Sequence, residues 1–182
     1  MEQPTEVEAP SPAKAKAAWC QLSPSDIGSL FRIADKLHPD LPEREQVFAE
    51  RLKLFPEGCL ALVGAEGGEL CGYVISHPIL RAQPPALDSL LGELASDADQ
   101  YYIHDLVIVP ELRGHGFAWG CINKILTTVA KRYRTTSLVS VYGTTSFWGR
   151  FGFVPEEVGE AMKKKLLEYG DDAMYLERKN EE

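Results

Sequence analysis

The sequence lacks two features that would place the protein at a membrane or on a nucleic acid. It has no apolar run of membrane-spanning length, so no membrane partner is expected. Its 182 residues carry 27 acidic against 19 basic side chains, which gives a formal net charge of −8. Proteins that bind DNA or RNA need a basic surface, so no nucleic-acid partner is expected either. The excess of carboxylates favours a small cationic partner.

Cysteine is scarce, and its spacing excludes further classes of site. Cys20, Cys59, Cys71 and Cys121 lack the paired spacing of metal or redox sites, so no metal is expected. Reduced cysteines that fill the core are the better interpretation. The N-terminus also lacks the charged-then-apolar pattern of a secretory signal, which makes a cytoplasmic location the default expectation.

The length and composition predict one domain. With 45% apolar residues, a chain of 182 residues can bury one sizeable core. Residues 1–17 are rich in Pro, Glu, Lys and Ala without an apolar period, and are predicted to form a disordered tail. Residues 18–182 are predicted to form the domain, as a monomer or a homodimer.

Apolar periodicity predicts a succession of strands and helices. The predicted order is strand, two helices, a three-strand run, helix, strand, short helix or turn, and strand. The first helix is expected to begin at a capping box, with Ser23 as N-cap, Pro24 as first helical residue and Asp26 as the acid. The second helix is expected to begin near Pro42, and a short helix is predicted over residues 87–94. This order is typical of an α/β fold with one mixed sheet and helices on both faces.

The segment VPELRGHGFA, residues 109–118, joins an apolar strand to the start of a helix that is expected from His115 onward. The first N–H groups of a helix have no intrahelical partner and carry partial positive charge. Glycine at positions 114 and 116 lets an anion approach these groups, and Arg113 adds a positive charge. The pattern therefore predicts a phosphate or diphosphate site. A tight turn with a solvent-exposed arginine would explain the same residues.

Two segments resemble one enzyme family. Arg113, Gly116 and Ala118 fit the R/Q-x-x-G-x-G/A signature of the GCN5-related N-acetyltransferases (GNAT), and FWGRFGF, residues 147–153, resembles that family's F-Y-x-x-x-G-F segment. Together with ISHPIL, ALDSLL and IHDLVIVP, these segments resemble the arylalkylamine (serotonin) N-acetyltransferase-like branch. The resemblance implies the GNAT acyl-CoA N-acyltransferase fold, with acetyl-CoA as co-substrate and no metal.

The resemblance also implies which residues hold the coenzyme. Backbone N–H groups of the glycine turn would bind its diphosphate, and the end of the preceding strand would pair with its pantetheine arm as an additional strand. A main-chain N–H of Leu106 or Val107 would bind the developing oxyanion. Trp148 would pack beside the coenzyme, although a purely structural role in the core is equally open. The implied coenzyme residues are Leu106, Val107, Ile108, Arg113, Gly114, His115, Gly116, Phe117, Ala118 and Trp148.

The family reaction is attack of an amine on the thioester, and it needs a base because alkylamines have a pKa of about 10. The arylalkylamine branch has two histidines, two residues apart, on the strand before the glycine turn. Tyr102 and His104 stand at these positions here, so His104 is expected to accept the proton, with Tyr102 as its relay partner. Strand alternation places both on one face, together with Leu106 before any bulge. A histidine satisfied inside the core is the alternative.

Asp105 is expected to face the other way and to be structural. A β-bulge would instead bring it into the site as an alternative base. No catalytic role is assigned to His38, His77 or His115.

Residue 148 is where the sequence departs from the family. The family usually has a tyrosine there, whose hydroxyl is credited with protonating the departing thiolate, and an indole has no such acid. Of the nearby hydroxyls, Tyr142 is chosen as the replacement acid. A thiol with a pKa of about 8.5 also leaves readily without one.

The predicted function is an acetyl-CoA-dependent N-acetyltransferase, in the EC 2.3.1 class, that acts on a small primary amine. An arylalkylamine or a polyamine is the first expectation for that amine. One alternative is acetylation of a protein or peptide amine. The other is a non-catalytic acyl-CoA-binding module, for which the tryptophan at position 148 is the best argument.

Overall fold

The computed structural model of the protein describes residues 16–181. The predicted tail, residues 1–17, therefore lies outside the described residues except at its very end. There, Ala17 begins the first strand, so regular structure starts before residue 18. Among residues 16–181, no helix is both long and apolar enough to cross a membrane.

A seven-stranded mixed sheet forms the centre of the fold. Its strands are β1 (Ala17–Gln21), β2 (Cys59–Gly64), β3 (Leu70–Ile79), β4 (Gln100–Ile108), β5 (Thr135–Ser140), β6 (Val154–Pro155) and β7 (Met174–Lys179). Their order in the sheet is β1-β2-β3-β4-β5-β7-β6. The neighbours β4 and β5 run parallel, and the other neighbouring pairs are antiparallel.

Helices cover both faces of this sheet, as predicted. Within the described residues they are α1 (Ile27–Leu37), α2 (Glu45–Leu54), α3 (Phe117–Thr127), α4 (Thr145–Gly149) and α5 (Glu160–Leu167). On one face, Leu30 of α1 and Phe48 of α2 share a buried cluster with Tyr73 of β3. On the other face, Ile122 of α3 shares a buried cluster with Ile103 of β4. The predicted fold class is confirmed.

The start of the first helix follows the predicted capping box. The backbone N–H of Ser23 donates to the Asp26 carboxylate over 2.9 Å, and the Ser23 hydroxyl accepts from the backbone N–H of Ser25 over 3.4 Å. The first turn, Pro24–Asp26, is a 3-10 turn, so the α-helix itself begins at Ile27. The second helix begins at Glu45, three residues after the predicted start.

The short helix predicted over residues 87–94 is wrong. The segment consists of turns and bends, in which Asp88 and Gly92 have φ values of +57° and +75° that a right-handed helix does not accept. Its backbone groups bond to α2 instead of to each other. The Arg51 guanidinium donates to the Ser89 carbonyl over 2.8 Å, and the Leu91 N–H donates to the Glu50 carboxylate over 2.6 Å. Tertiary hydrogen bonds therefore override the local apolar spacing.

One further boundary differs from the prediction, and two elements were not predicted. Helix α3 begins at Phe117 rather than at His115, because Gly114 and Gly116 are left-handed, with φ values of +79° and +83°. Helix α5 was not predicted, since Leu166 is its one buried residue and its sequence therefore has no apolar period. The two-residue strand β6 was also missed.

Strands β4 and β5 separate towards their carboxyl ends. They pair at three positions, which join residues 101–103 of β4 to residues 136–138 of β5. Beyond Ile103 the strands diverge and leave an opening at the centre of the sheet. In open α/β sheets, ligands bind at such places outside the carboxyl ends of the strands.

Strand β4 contains a β-bulge at His104. On β3, residue 75 pairs with residue 105 of β4, and the next residue, 76, pairs with residue 103. His104 therefore has no partner on β3 and is the extra residue of the bulge. As a result, His104 and Asp105 lie on the same face of the sheet, towards α1 and α2. Leu106 was predicted to share a face with His104, but it packs against the cluster on the α3 side. The bulge explains this correction, because it shifts the alternation of side chains by one residue.

Candidate active site

A cavity of about 820 Å³ occupies the opening between β4 and β5. The end of β4, the glycine turn, the first turn of α3, the end of β5 and α4 form its walls. Most of the residues that the sequence singled out line it: His104, Leu106, Val107, Ile108, Arg113, Gly114, Gly116, Phe117, Ala118, Tyr142 and Trp148. Tyr102 and His115 do not line it, and the His115 side chain is exposed beside the turn.

The glycine turn has the geometry of an anion cradle. Gly116 is the N-cap of α3, and the first helical hydrogen bond runs from the N–H of Gly120 to the carbonyl of Gly116 over 3.0 Å. The N–H groups of residues 117–119 precede that bond and are available to a ligand. A Cβ built at Gly114 or Gly116 would meet no heavy atom of residues 16–181 within 4 Å, so both glycines face open space. Arg113 braces the turn through a 3.0 Å hydrogen bond from Nε to the carbonyl of Ile108.

His104 is paired with a carboxylate that the sequence did not reveal. Its Nε2 lies 2.8 Å from Oε1 of Glu43, in the segment between α1 and α2, and the two side chains are 1% and 7% exposed. Burial acts to raise the pKa of Glu43, but its interaction with His104, the N–H of Asp88 and the Arg51 guanidinium together hold that pKa below its usual value. Glu43 is therefore a carboxylate at neutral pH, and it accepts the Nε2 proton of His104.

This pairing leaves Nδ1 of His104 as the basic nitrogen of the ring. The atom is buried and has no hydrogen-bond partner among residues 16–181. In many enzymes a carboxylate binds one nitrogen of a catalytic imidazole and so orients the other nitrogen. Glu43 and His104 have this arrangement. No spacing in the sequence points to Glu43, because it lies 61 residues from His104 and reaches it only through the packing of α1 and α2.

Asp105 lies beside His104 as a second candidate base. The Tyr73 hydroxyl donates to its carboxylate over 2.6 Å, and Nδ1 of His38 lies 3.8 Å from its other oxygen. Burial raises the pKa of Asp105, and the neighbouring His38 ring and the Tyr73 hydrogen bond offset this only in part. His38, at the end of α1, also contacts the Tyr142 ring, with 5.3 Å between ring centroids. The structure thus brings His38 into the site, which the sequence did not predict.

A second, smaller cavity of about 40 Å³ lies on the α1 and α2 side of the sheet. It shares five lining residues with the larger cavity: His38, His104, Asp105, Val139 and Val141. Glu43, Leu87 and Tyr169 contribute to its remaining walls. The two cavities therefore meet at the bulge of β4, with the candidate bases between them.

The geometry agrees with a match to a known family. The family model described as the acetyltransferase (GNAT) family matches residues 26–153, more than half of the chain. The chain belongs to this family. The predicted class of enzyme, an N-acetyltransferase that uses acyl-CoA, is thereby confirmed. The arylalkylamine branch remains a prediction.

Solved structures with the GNAT fold cover nearly the whole chain. Ard1 from Thermoplasma volcanium is 17% identical, with a TM-score of 0.67 over 91% of this chain and 99% of that one. The loading GNATL domain of CurA from Lyngbya majuscula is 12% identical, with a TM-score of 0.72 over 90% and 97%. Arabidopsis thaliana Naa50, in complex with the bisubstrate analogue CoA-Ac-MVNAL, is 12% identical, with a TM-score of 0.64 over 90% and 98%. These identities show the fold alone, and no curated protein matches the sequence.

Tyr102 does not reach the opening of this GNAT domain. Its ring is buried, 6.1 Å from that of His104 and 5.7 Å from that of His77, and it lines neither cavity. Burial raises the pKa of its hydroxyl well above the usual value, so the group keeps its proton at neutral pH. On geometry, Glu43 rather than Tyr102 is the direct partner of His104.

Tyr142 lies at the rim of the larger cavity and is about half exposed. Partial burial and the carboxylates of Asp40, Asp105 and Asp172 raise the pKa of its hydroxyl. The hydroxyl therefore carries its proton at neutral pH and can donate it. Its backbone has a positive φ of 53°, which residues other than glycine rarely adopt, and its ring packs against that of His38.

Trp148 is buried in an aromatic cluster and also lines the larger cavity. Its ring packs edge-on against Phe147 and Phe153, with centroids 5.1 Å and 5.6 Å away. Both roles that the sequence left open, contact with the coenzyme and core packing, fit this position.

Replacing Trp148 by tyrosine tests which side chain supplies the acid. We expect Trp148→Tyr to lower the free energy of unfolding by about 1 to 2 kcal/mol, because the smaller ring leaves a void and buries a hydroxyl among aromatic rings. Denaturant titration measures this loss. We expect turnover not to rise, whereas Tyr142→Phe should lower it. A faster Trp148→Tyr enzyme would mean that the natural protein lacks an acid that the family's tyrosine restores.

Proposed function

We propose that the protein transfers the acetyl group of acetyl-CoA to a small cationic primary amine, an arylalkylamine or a polyamine. The observation that carries the proposal is the meeting of the two cavities at His104 and Asp105. One cavity has the size and the anion cradle that a coenzyme needs, and the other is narrow and partly lined by carboxylates. A base therefore stands between the two reactants.

The larger cavity suits the coenzyme along its whole length. The turn at residues 114–118 offers backbone N–H groups to the diphosphate, with Arg113 beside it. The edge of β4 that faces β5 is paired only as far as Ile103. Residues 106–108 can therefore pair with the amide-containing pantetheine arm as a strand would.

The smaller cavity suits the end of an alkylamine. Its volume of about 40 Å³ holds a few water-sized groups, which excludes a bulky acceptor from the innermost position. Leu41, Phe48 and Val139 supply apolar walls, Glu43 supplies negative charge, and Asp105 supplies a second carboxyl group. An aminoalkyl chain has the complementary character, apolar along its length and cationic at its end.

The enclosure of this cavity favours a small amine over a peptide. Leu87 and Tyr169 line it, and the segment that carries Leu87 is tied to the rest of the fold by the Arg44–Asp88 ion pair, at 3.1 Å. An extended peptide would need an open groove here. The acidic surface nevertheless keeps a basic peptide as the second candidate acceptor.

In the proposed reaction, Nδ1 of His104 accepts a proton from the substrate ammonium while Glu43 stabilises the imidazolium. Acetyl-CoA supplies the activated acetyl group as a thioester, and the free amine attacks its carbonyl carbon. A backbone N–H of Leu106 or Val107 donates to the oxygen that becomes negative. As the carbon–sulfur bond breaks, the Tyr142 hydroxyl donates a proton to the departing sulfur. The attacking nitrogen then releases its second proton to solvent, solvent reprotonates Tyr142, and the proton taken up by His104 is the one released overall. The products are the N-acetylated amine and free coenzyme.

A screen of acceptors tests the proposed substrate class. We expect free thiol to be released from acetyl-CoA in the presence of an alkylamine, with diamines, polyamines and arylethylamines as the panel, and not with basic peptides. If only peptides supported turnover, the acceptor would be a peptide amine rather than a small amine. Tight binding of acetyl-CoA without turnover of any acceptor would instead identify a binding module.

A further inference from the structure

One large apolar side chain at the cavity has no role in the reaction described above. Trp119 lies in the first turn of α3 and is 55% exposed, although tryptophan is usually well buried. Its ring centroid lies 4.8 Å from that of Phe151, and both residues line the larger cavity. One edge of the indole is therefore supported by protein while much of the ring remains open to a ligand.

The direction of the bound coenzyme brings its nucleoside to this ring. This step depends on the proposed function, which places the diphosphate on residues 114–118 and the pantetheine arm along β4. The adenosine is attached to the other end of the diphosphate, so it must leave the turn away from β4. The first turn of α3 lies there, and Trp119 immediately follows the residues of the turn.

The surroundings of Trp119 leave room for a flat base. A Cβ built at Gly120 or at Gly149 would meet no heavy atom of residues 16–181 within 4 Å. Arg150, exposed at the end of α4, lines the same cavity and would provide a cation for the 3′-phosphate of the coenzyme. An indole that is more than half exposed, at a cavity that an arginine also lines, matches the chemistry of an adenine nucleotide.

We propose that Trp119 is the surface on which the adenine base of the coenzyme stacks, and that it gives the protein a preference for the whole coenzyme over its pantetheine portion. The recognition is by the π face of the base and does not require hydrogen bonds to its edge. Trp119 is thus a residue of the coenzyme site that lies outside the glycine motif.

Calorimetric titration with three ligands isolates the contribution of the base. The ligands are CoA, dephospho-CoA, which lacks the 3′-phosphate, and 4′-phosphopantetheine, which lacks the whole nucleoside. We expect Trp119→Ala to weaken the binding of CoA and of dephospho-CoA alike, by about tenfold, within the range for one base stacked on an aromatic ring. The affinity for 4′-phosphopantetheine should not change.

Companion variants separate stacking from loss of apolar bulk. Trp119→Phe keeps a flat ring and should retain most of the affinity, whereas Trp119→Leu keeps bulk without a flat ring and should behave as the alanine variant does. Leu167→Ala is the control. Leu167 is another exposed apolar side chain, at 64% exposure, but it lies on α5 and does not line the cavity. It should leave all three affinities unchanged.

Other outcomes would overturn the assignment. Equal affinities in wild type and Trp119→Ala, or an equal loss for all three ligands, would mean that Trp119 does not contact the base. A loss for CoA without a loss for dephospho-CoA would place the ring at the 3′-phosphate instead. If the wild-type protein bound none of the three ligands, the proposed function itself would be wrong, which is a distinguishable result.

Discussion

His104→Ala is expected to lower turnover by about 10²-fold while the dissociation constant for CoA hardly changes. The variant removes the imidazole that the Glu43 carboxylate holds at the lining of both cavities, and the coenzyme contacts on residues 113–118 remain. Rates of thiol release give the turnover, and calorimetry gives the affinity for CoA.

Glu43→Gln should reproduce part of the loss of turnover expected for His104→Ala. The amide keeps the size of the side chain but no longer carries the charge that stabilises the imidazolium. Tyr102→Phe is the matched control on the same face of β4. It should leave turnover nearly unchanged, because the Tyr102 hydroxyl lines neither cavity. Circular dichroism of each variant establishes that the fold is retained.

Asp105 provides the outcome that would contradict the role of His104. Its pKa is raised by burial, and as a base Asp105 would become active as the pH rises through that pKa. If His104→Ala kept full turnover while Asp105→Asn lost it, the proton acceptor would be Asp105. His104 would then be a core histidine held by Glu43.

The parts of the fold that the sequence predicted are those encoded by neighbouring residues. The capping box is complete within Ser23–Asp26, and the strand, glycine turn and helix of the coenzyme cavity lie within residues 100–127. In each case the sequence positions that determine the structure are a few residues apart. Local sterics and helix-end electrostatics then suffice to predict the element.

The parts that it did not predict depend on contacts between distant segments. Glu43 and His38 enter the site only because α1 and α2 pack across β3 and β4. The bulge at His104 changes the face of Leu106, and no residue type in the segment marks its position. The segment at 87–94 has apolar spacing suited to a helix, but its N–H and carbonyl groups are used by α2. The spacing of apolar side chains carries no information about these hydrogen bonds to α2.

Gly116→Val is expected to abolish CoA binding in calorimetry and to remove the thermal stabilisation that the ligand gives. For the wild type, a ligand at 100 times its dissociation constant adds about 2.7 kcal/mol to the free energy of unfolding. The valine places two methyl groups in the open space that the diphosphate needs, at the N–H groups where α3 begins. Gly116→Ala, which adds a single methyl group, should weaken binding by a smaller factor.

Backbone strain is the competing explanation, because Gly116 has a φ of +83° that a β-branched residue strongly resists. Gly68 offers a matched control. It has a φ of +64°, no heavy atom of residues 16–181 lies within 4 Å of a Cβ built there, and it belongs to the turn between β2 and β3. Gly68→Val should therefore lower the melting temperature as a strained glycine replacement does, yet bind CoA as the wild type does. Undiminished binding by a folded Gly116→Val protein would mean that the diphosphate lies elsewhere and that the glycine turn is only a tight connection between strand and helix.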